Sequence, residues 1–311
     1  MEKKSCSIII SVYNEEAVLR LFYDELTAAI ALIDWNFELL FVDDGSTDGS
    51  RQLLDSLVQS DPRMRVIHFS RNFGHEAAMM AGIDHALSDA IVCMDADLQH
   101  PPALLGEMLK KYEQGNDIVT MTREDRADGG LYKQLTSLLF YRLINRLSDT
   151  QLQPNASDFF LISHRVAEVL KNDYRERTRF LRGLIQSVGF RSTTLAYQAP
   201  QRAAGRSKYS VHKLMRLAFV SIASFTKAPL LVGIYSGLLF GLLSVALIVY
   251  SLVMWIIARP VGGYTTLIIF LSAFAAILLI VVGIVGYYVG LVLDEVKQRP
   301  TYIIDNIVEK K

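Results

Sequence analysis

The sequence predicts an α/β domain built on a mostly parallel sheet, followed by amphipathic interface helices and a two-helix transmembrane hairpin. Three observations carry this. Short β-rich apolar runs alternate with amphipathic segments in the N-terminal part of the chain. Two stretches near the C-terminus, Leu230–Ile257 and Thr266–Leu293, are each 28 residues long without a charge. The charge is also segregated, although 32 Lys+Arg balance 32 Asp+Glu over 311 residues. Residues 1–174 carry 16 basic and 27 acidic groups, net −11, and residues 175–227 carry 11 and 1, net +10. Residues 228–311 carry 5 and 4, net +1. An acidic body, a basic collar and an apolar tail are three units rather than one averaged globule.

Composition removes several function classes. A hydrophobic content of 51% is far too high for intrinsic disorder. Two cysteines, Cys6 and Cys93, are too few for a disulfide scaffold and fit a reducing compartment. Zero net charge argues against a polycationic nucleic-acid binder. A mean hydropathy of +0.26 points to membrane spans.

In the acidic body the strand candidates are Ser7–Tyr13, Phe37–Val42, Arg65–Phe69, Ala90–Met94 and Asp117–Thr122. The helical patterns between them are Glu15–Ile33, Asp48–Gln59, His75–Leu87 and Pro101–Gln114. Apolar strands separated by helices pair in parallel and are covered on both faces, and such sheets bind ligands beyond the carboxyl ends of their strands. Those ends are polar: Tyr13-Asn14-Glu15-Glu16, then Asp43-Asp44-Gly45-Ser46-Thr47-Asp48, then Ser70-Arg71-Asn72-Phe73-Gly74-His75, then Asp95-Ala96-Asp97-Leu98-Gln99-His100. Any one of them could be an ordinary helix N-cap, the role that suits Ser46 and Asp48. Four in succession predict a convergent site. Asp95 and Asp97, one residue apart at a strand end, are hard oxygen ligands suited to Mg²⁺ or Mn²⁺, with positions left for phosphates.

In the tail, each uncharged run could reach roughly 42 Å as a helix, against ~30 Å of hydrocarbon. The connector, with Arg259, Pro260, Gly262 and Gly263, is short and turn-rich. Lys213, Arg216 and Lys227 precede the first run and Lys297, Arg299, Lys310 and Lys311 follow the second, so the positive-inside rule predicts that both termini are cytoplasmic. The N-terminus shows no signal-peptide core. In the collar, residues 207–226 read as an amphipathic helix with Lys208, His212, Lys213 and Arg216 along one edge, suited to an anionic membrane surface. The expected organisation is a catalytic domain over 1–200, juxtamembrane helices over 201–229, spans over 230–257 and 266–293, and a cytoplasmic tail over 294–311.

The segments VYNEE, VDDGSTDGS, RNFGHEAA and DADLQHPP resemble the signatures of family-2 glycosyltransferases of the GT-A fold. The closer likeness is to the polyprenyl-phosphate group, which includes dolichyl-phosphate-mannose synthase and bactoprenol glucosyltransferase. It continues through GRSKYS at Gly205–Ser210 and VKQRPTY at Val296–Tyr302. The resemblance implies an inverting, metal-dependent transfer from a nucleotide sugar, UDP-linked by the likeness to bacterial members, to a polyprenyl phosphate at the inner membrane. It implies that Tyr13, Asn14, Glu15, Asp44, Arg71, Asn72, His75, Asp95 and Ala96 bind the nucleotide sugar. It implies that Asp95, Asp97 and Gln99 hold Mg²⁺ or Mn²⁺, with Asp97 and Asp158 catalytic. Arg123, Arg126, Lys133, Ser137, Arg206 and Lys208 would bind the acceptor phosphate, where an Arg fork or a Lys point charge suits phosphate oxygens. A homo-oligomer is also implied. The chain departs from the family's G-D-F-R-L segment, with Ser157 in place of the Gly and Phe160 in place of the Arg. Asp158 keeps its place there, as a base or as a positioning group.

Two other classes compete. A processive polysaccharide synthase would carry Q-x-x-R-W, yet neither Trp35 nor Trp255 lies in that context. A non-catalytic membrane-anchored binding protein would have no need of Asp44, Asp95, Asp97 and Gln99 together. No nucleic-acid recognition motif accompanies the basic collar.

Overall fold

The computed structural model describes residues 3–123, 156–177, 180–198, 228–257 and 262–310. They group into two compact units, one holding a sheet and one holding two long helices.

The sheet unit opens with β1 (Ser5–Val12), α1 (Glu16–Ile30), β2 (Asn36–Asp43), α2 (Ser50–Ser60), β3 (Met64–Phe69), α3 (His75–His85) and β4 (Ala90–Asp95). A short 3₁₀ turn, Pro102–Leu104, leads into α4 (Leu105–Glu113), and β5 (Ile118–Arg123) follows. The later elements are β6 (Ala156–Ser163), α5 (His164–Asn172), α6 (Leu181–Ser187), β7 (Ser192–Tyr197) and β8 (Ile304–Glu309). The strand order is β7-β5-β6-β4-β1-β2-β3-β8. The five strands and four helices expected from periodicity are all present.

The sheet is mostly parallel, as expected. The exceptions are β6, antiparallel to β4 and β5, and β8, antiparallel to β3. The core lies where the pattern placed it: Ile8, Ile9 and Ile10 of β1, Leu39, Leu40 and Phe41 of β2, and Phe22 and Leu26 of α1 are each 0% exposed. Parallel strands with both faces covered have no polar face, which is why their sequences run apolar without alternation. Cys6 and Cys93 are free and buried in this core, and burial raises both thiols far above their usual range.

Register sets the site. Val12 pairs with Asp43, Asp43 with His68, and Ser11 with Asp95, so the ends of β1 to β4 share one edge. β6 runs the other way, with Ala90 opposite Ser163 and Cys93 opposite Phe160. Asp158, two residues nearer the start of β6, therefore comes to the same edge as Asp95, and His75 lies within 3.6 Å of both. A carboxylate near the start of one strand thus meets carboxylates at the ends of the others.

The second unit holds α7 (Ala228–Ile256) and α8 (Tyr264–Val296). Segments of 26 and 28 residues within them, with mean hydropathies of 2.4 and 2.9, are long and apolar enough to cross a membrane. Their apolar side chains are exposed, unlike those of a soluble core helix. The helices pack as a pair: Phe240 lies 6.0 Å from Phe270 and 5.7 Å from Phe274, and a Cβ at Gly233 would stand 2.8 Å from Val281 Cγ1. The expected collar helix, residues 207–226, lies outside the described residues.

Candidate active site

The site is built from five strand ends. At the first two, Asn14 adopts a left-handed conformation (φ +57°), which asparagine tolerates. There its backbone N–H donates to Ser46 Oγ at 3.0 Å and its Oδ1 accepts from Thr47 N at 2.8 Å. The Asp-Asp pair divides its work. Asp43 accepts from Ser46 N at 3.0 Å and bonds the buried His68 ring at 2.8 Å. Asp44 accepts from Phe73 N at 2.6 Å and Gly74 N at 2.9 Å, fixing the loop after β3. Gly45, at φ +66°, is required for that contact, because a Cβ there would lie 2.5 Å from the Arg71 carbonyl carbon. Burial raises the Asp44 carboxyl above its usual range, against the pull of the two loop amides.

His68, which the motifs did not single out, lies between two acids. Its Nδ1 is 2.8 Å from Asp43 and its Nε2 3.0 Å from Asp55. Burial alone would favour the neutral ring, but the two carboxylate bonds outweigh it and raise the pKa. Burial would likewise raise Asp43, and the bonds from His68 and Ser46 reverse that, holding it below its usual value.

A second histidine has a similar pair of acids at the site itself. His75 begins α3. Its Nδ1 is 2.9 Å from Ser11 Oγ and 3.4 Å from Asp95 Oδ1, and its Nε2 is 3.6 Å from Asp158 Oδ2. Ser11 Oγ also donates to Asp95 at 3.0 Å. Burial would lower His75, yet Asp95 and Asp158 raise it to about 10. Asp158 shows the converse. Burial would raise it, but the His75 bond and the Arg182 charge bring it down to about 2. Beside them burial, with Asp158 adding, raises Glu76, whose Oε2 accepts the Leu181 amide at 2.9 Å.

Arg182, from α6, was not foreseen. Its Nε lies 2.8 Å from Asp158 Oδ1, and its Nη1 donates to Ala156 O at 2.8 Å. Phe160 stands where the family resemblance implies an arginine, and its side chain is buried in the core at 2% exposed. A different element therefore brings a cation to Asp158. No local pattern could have shown this, since the ion pair joins residues on separate elements.

At the expected metal motif, Asp97 Oδ1 accepts from Gln99 N at 3.0 Å, and Arg123 Nη1 donates to Gln99 Oε1 at 3.4 Å. Leu98, between them, sits at φ +60°, a conformation that costs a side-chain-bearing residue ~1–2 kcal/mol. Among the described residues no three or more His, Cys, Asp or Glu groups form a metal cage. Two partly exposed carboxylates without a cage fit a hard cation whose remaining ligands come from phosphates and water.

The expected residues fall as follows. Tyr13, Asn14, Glu15, Asp44, Arg71, Asn72, His75, Asp95, Ala96, Asp97, Gln99, Arg123 and Asp158 are all at or next to strand ends on the shared edge. Tyr13 is 43% exposed, whereas Ala96 is buried. The Arg71 guanidinium lies 3.9 Å over the Phe73 ring. Arg126, Lys133, Ser137, Arg206 and Lys208 lie outside the described residues.

Comparison with known proteins gives a consistent picture. Residues 7–170 match the family model described as "Glycosyl transferase family 2". A glycosyltransferase of Bacillus subtilis (strain 168), YkcC, is 37% identical over 96% of this chain and 92% of its own length. The bactoprenol glucosyl transferase of Shigella phage SfV is 35% identical over 98% of this chain and 99% of its own. A prophage bactoprenol glucosyl transferase homolog of Escherichia coli (strain K12) is 34% identical over 97% and 98%.

Proposed function

The chain belongs to glycosyl transferase family 2, and from that premise we propose that it moves a sugar from a nucleotide sugar to a polyprenyl phosphate at a membrane surface. The observation that carries this is the convergence of Asp95 of β4 and Asp158 of β6 on one His75 side chain, at the edge where the Asp44 and Asn14 loops also end. Near full-length likeness to a bactoprenol glucosyl transferase supports glucose as the sugar and an undecaprenyl-type lipid as the acceptor.

In this reading the loops after β1, β2 and β3 hold the nucleotide, with Asp44 stiffening the loop that leads to His75. Asp95 and Asp97, with Gln99 nearby, would hold Mg²⁺ or Mn²⁺. When bound, the cation offsets the negative charge that grows on the departing diphosphate. An oxygen of the lipid phosphate attacks the anomeric carbon from the face opposite the leaving group. The new C–O bond forms as the bond to the diphosphate breaks, and the configuration inverts. The attacking oxygen is already anionic and needs no proton removed. Asp158, held near 2 by His75 and Arg182, is a poor base and a good fixed anion, so we assign it positioning. Arg123, whose Nη1 donates to Gln99, would meet phosphate oxygens in this reading. The other expected acceptor groups, Arg126, Lys133, Ser137, Arg206 and Lys208, keep that role as part of the proposal.

The sheet's connectivity bears on topology. β7 precedes the two apolar helices and β8 follows them, yet both belong to one sheet. A chain that leaves a sheet and rejoins it can cross a membrane only an even number of times in between. Two spans satisfy this, and the basic flanks favour the cytoplasmic side for the sheet.

The test is purified protein in detergent or vesicles with Mg²⁺ or Mn²⁺, undecaprenyl phosphate and a panel of radiolabelled nucleotide sugars. Label should pass into the organic phase with one donor. No transfer from any donor would sink the reading.

A further inference from the structure

One partly buried hydrogen-bond chain at this site is used by no step above. It joins the end of β4, the start of β6 and the end of β7. The Asp95 backbone N–H donates to His100 Nδ1 at 2.9 Å. An amide can only donate, so Nδ1 is the acceptor and the ring's hydrogen lies on Nε2. That hydrogen points to Ser157 Oγ, 2.8 Å away. Ser157 Oγ also accepts the Phe159 amide at 3.3 Å. With two hydrogens arriving, its own goes to the Tyr197 hydroxyl at 3.0 Å. One donor at the start thus fixes every direction along the chain.

The surroundings hold this order in place. His100 and Tyr197 are each 5% exposed. The His100 ring stacks on Phe159 at 5.2 Å and 17°, and Tyr197 meets His100 and Phe159 edge-on at 6.4 and 6.1 Å. Removing the central hydroxyl would leave the N–H of a ring only 5% exposed without its acceptor, which is costly.

We propose that Ser157 is a positioning residue for the transfer reaction: its hydroxyl ties the strand end bearing Asp95 to the strand end bearing Asp158 and so sets the two carboxylates about the reacting centre. The proposal rests on the reading of Asp95 and Asp97 as the cation's ligands. It requires that the hydroxyl act on metal affinity and turnover, not merely on folding. Groups that orient metal ligands from behind typically cost 10–100-fold in affinity when lost.

The experiment measures three quantities on the full chain: Mn²⁺ affinity in the presence of UDP by electron paramagnetic resonance, kcat and KM for transfer, and Tm. Ser157→Ala and Ser157→Gly should each weaken Mn²⁺ binding and lower kcat about tenfold, with KM for the donor changed less. Ser157→Thr restores a hydroxyl and should recover most of both. Tyr197→Phe keeps the ring and removes the terminal acceptor. It should lower Mn²⁺ affinity in the same direction, and combining it with Ser157→Ala should add little. If Ser157→Ala does not fold, Ser157→Thr and Tyr197→Phe still decide. Wild-type Mn²⁺ affinity and kcat in Ser157→Ala or Tyr197→Phe, whatever the Tm, would overturn the proposal. Wild-type protein that binds no Mn²⁺ sinks the metal reading and this inference together. Wild-type protein that binds Mn²⁺ with UDP but transfers nothing sinks only the acceptor assignment, and the affinity comparison still decides the role of Ser157.

Discussion

Two histidines in this protein each lie between two aspartates, and their surroundings give them different work. His68 is 0% exposed and bonds Asp43 and Asp55 at 2.8 and 3.0 Å. His75 is 36% exposed and stands 3.4 and 3.6 Å from Asp95 and Asp158. In the first triad His68 and Asp43 are both fully buried and held by short bonds, and only Asp55 reaches solvent. The second is open, looser, and shares its acids with the residues expected to meet the donor. Proximity of charges alone therefore does not mark a site; access and slack do. The buried triad ties the end of β2 to β3 and α2, whereas the open one faces solvent where a ligand can reach.

The largest expected effects separate the two triads. Asp158→Asn leaves the fold in place and should lower transfer about a hundredfold, with Tm within a few degrees of wild type. His68→Gln leaves Asp43 buried without its charged partner and should destabilise the sheet unit by about 3 kcal/mol. Activity per folded molecule should then change little, read by chemical denaturation alongside the transfer assay. If the two variants exchanged phenotypes, the distinction would fail.

An intermediate effect should come from the joint between them. Gly45→Ala forces a Cβ against the Arg71 backbone and shifts the loop leading to His75, while His68 stays untouched. UDP affinity should fall about tenfold by calorimetry, with a smaller loss of stability. Unchanged UDP binding would mean that this loop does not touch the nucleotide.

The smallest effect is in pH. His68 is raised in the folded state, so its contribution is full below its ordinary value of about 6.5 and is lost as pH rises through the folded value. Asp43 is lowered, so its contribution is present above about 4 and is lost as pH falls. The pair should add most to stability between roughly pH 4 and 6.5. His68→Gln should flatten the alkaline decline in denaturation free energy, and an unaltered slope would place the titrating group elsewhere.

Much of this was legible in the chain, for local reasons. Apolar runs of strand length show β1 to β5, and polar clusters at their ends show Asp44, Asp95 and Asp97, because strand, turn and helix cap are written within a few neighbouring residues. What escaped depends on distant partners. Ser157 and His100 are 57 positions apart, and Ser11 and His75 are 64 apart. The antiparallel course of β6, which brings Asp158 to the edge that bears Asp95, follows from pairing and not from its own pattern. β8 closes the sheet beside β3 from beyond the two long helices. Tyr302 stacks on Phe69 at 5.2 Å and bonds Asp84 at 2.7 Å, where the sequence showed only a tail.

The carboxylates at these strand ends are expected to serve glycosyl transfer to a lipid phosphate. The most direct test incubates wild-type protein and Asp97→Asn with undecaprenyl phosphate, a divalent cation and UDP-glucose, then weighs the extracted lipid by mass spectrometry. The account predicts a new lipid heavier by one hexose with wild type and at least a hundredfold less with Asp97→Asn. Equal product from both proteins would contradict it.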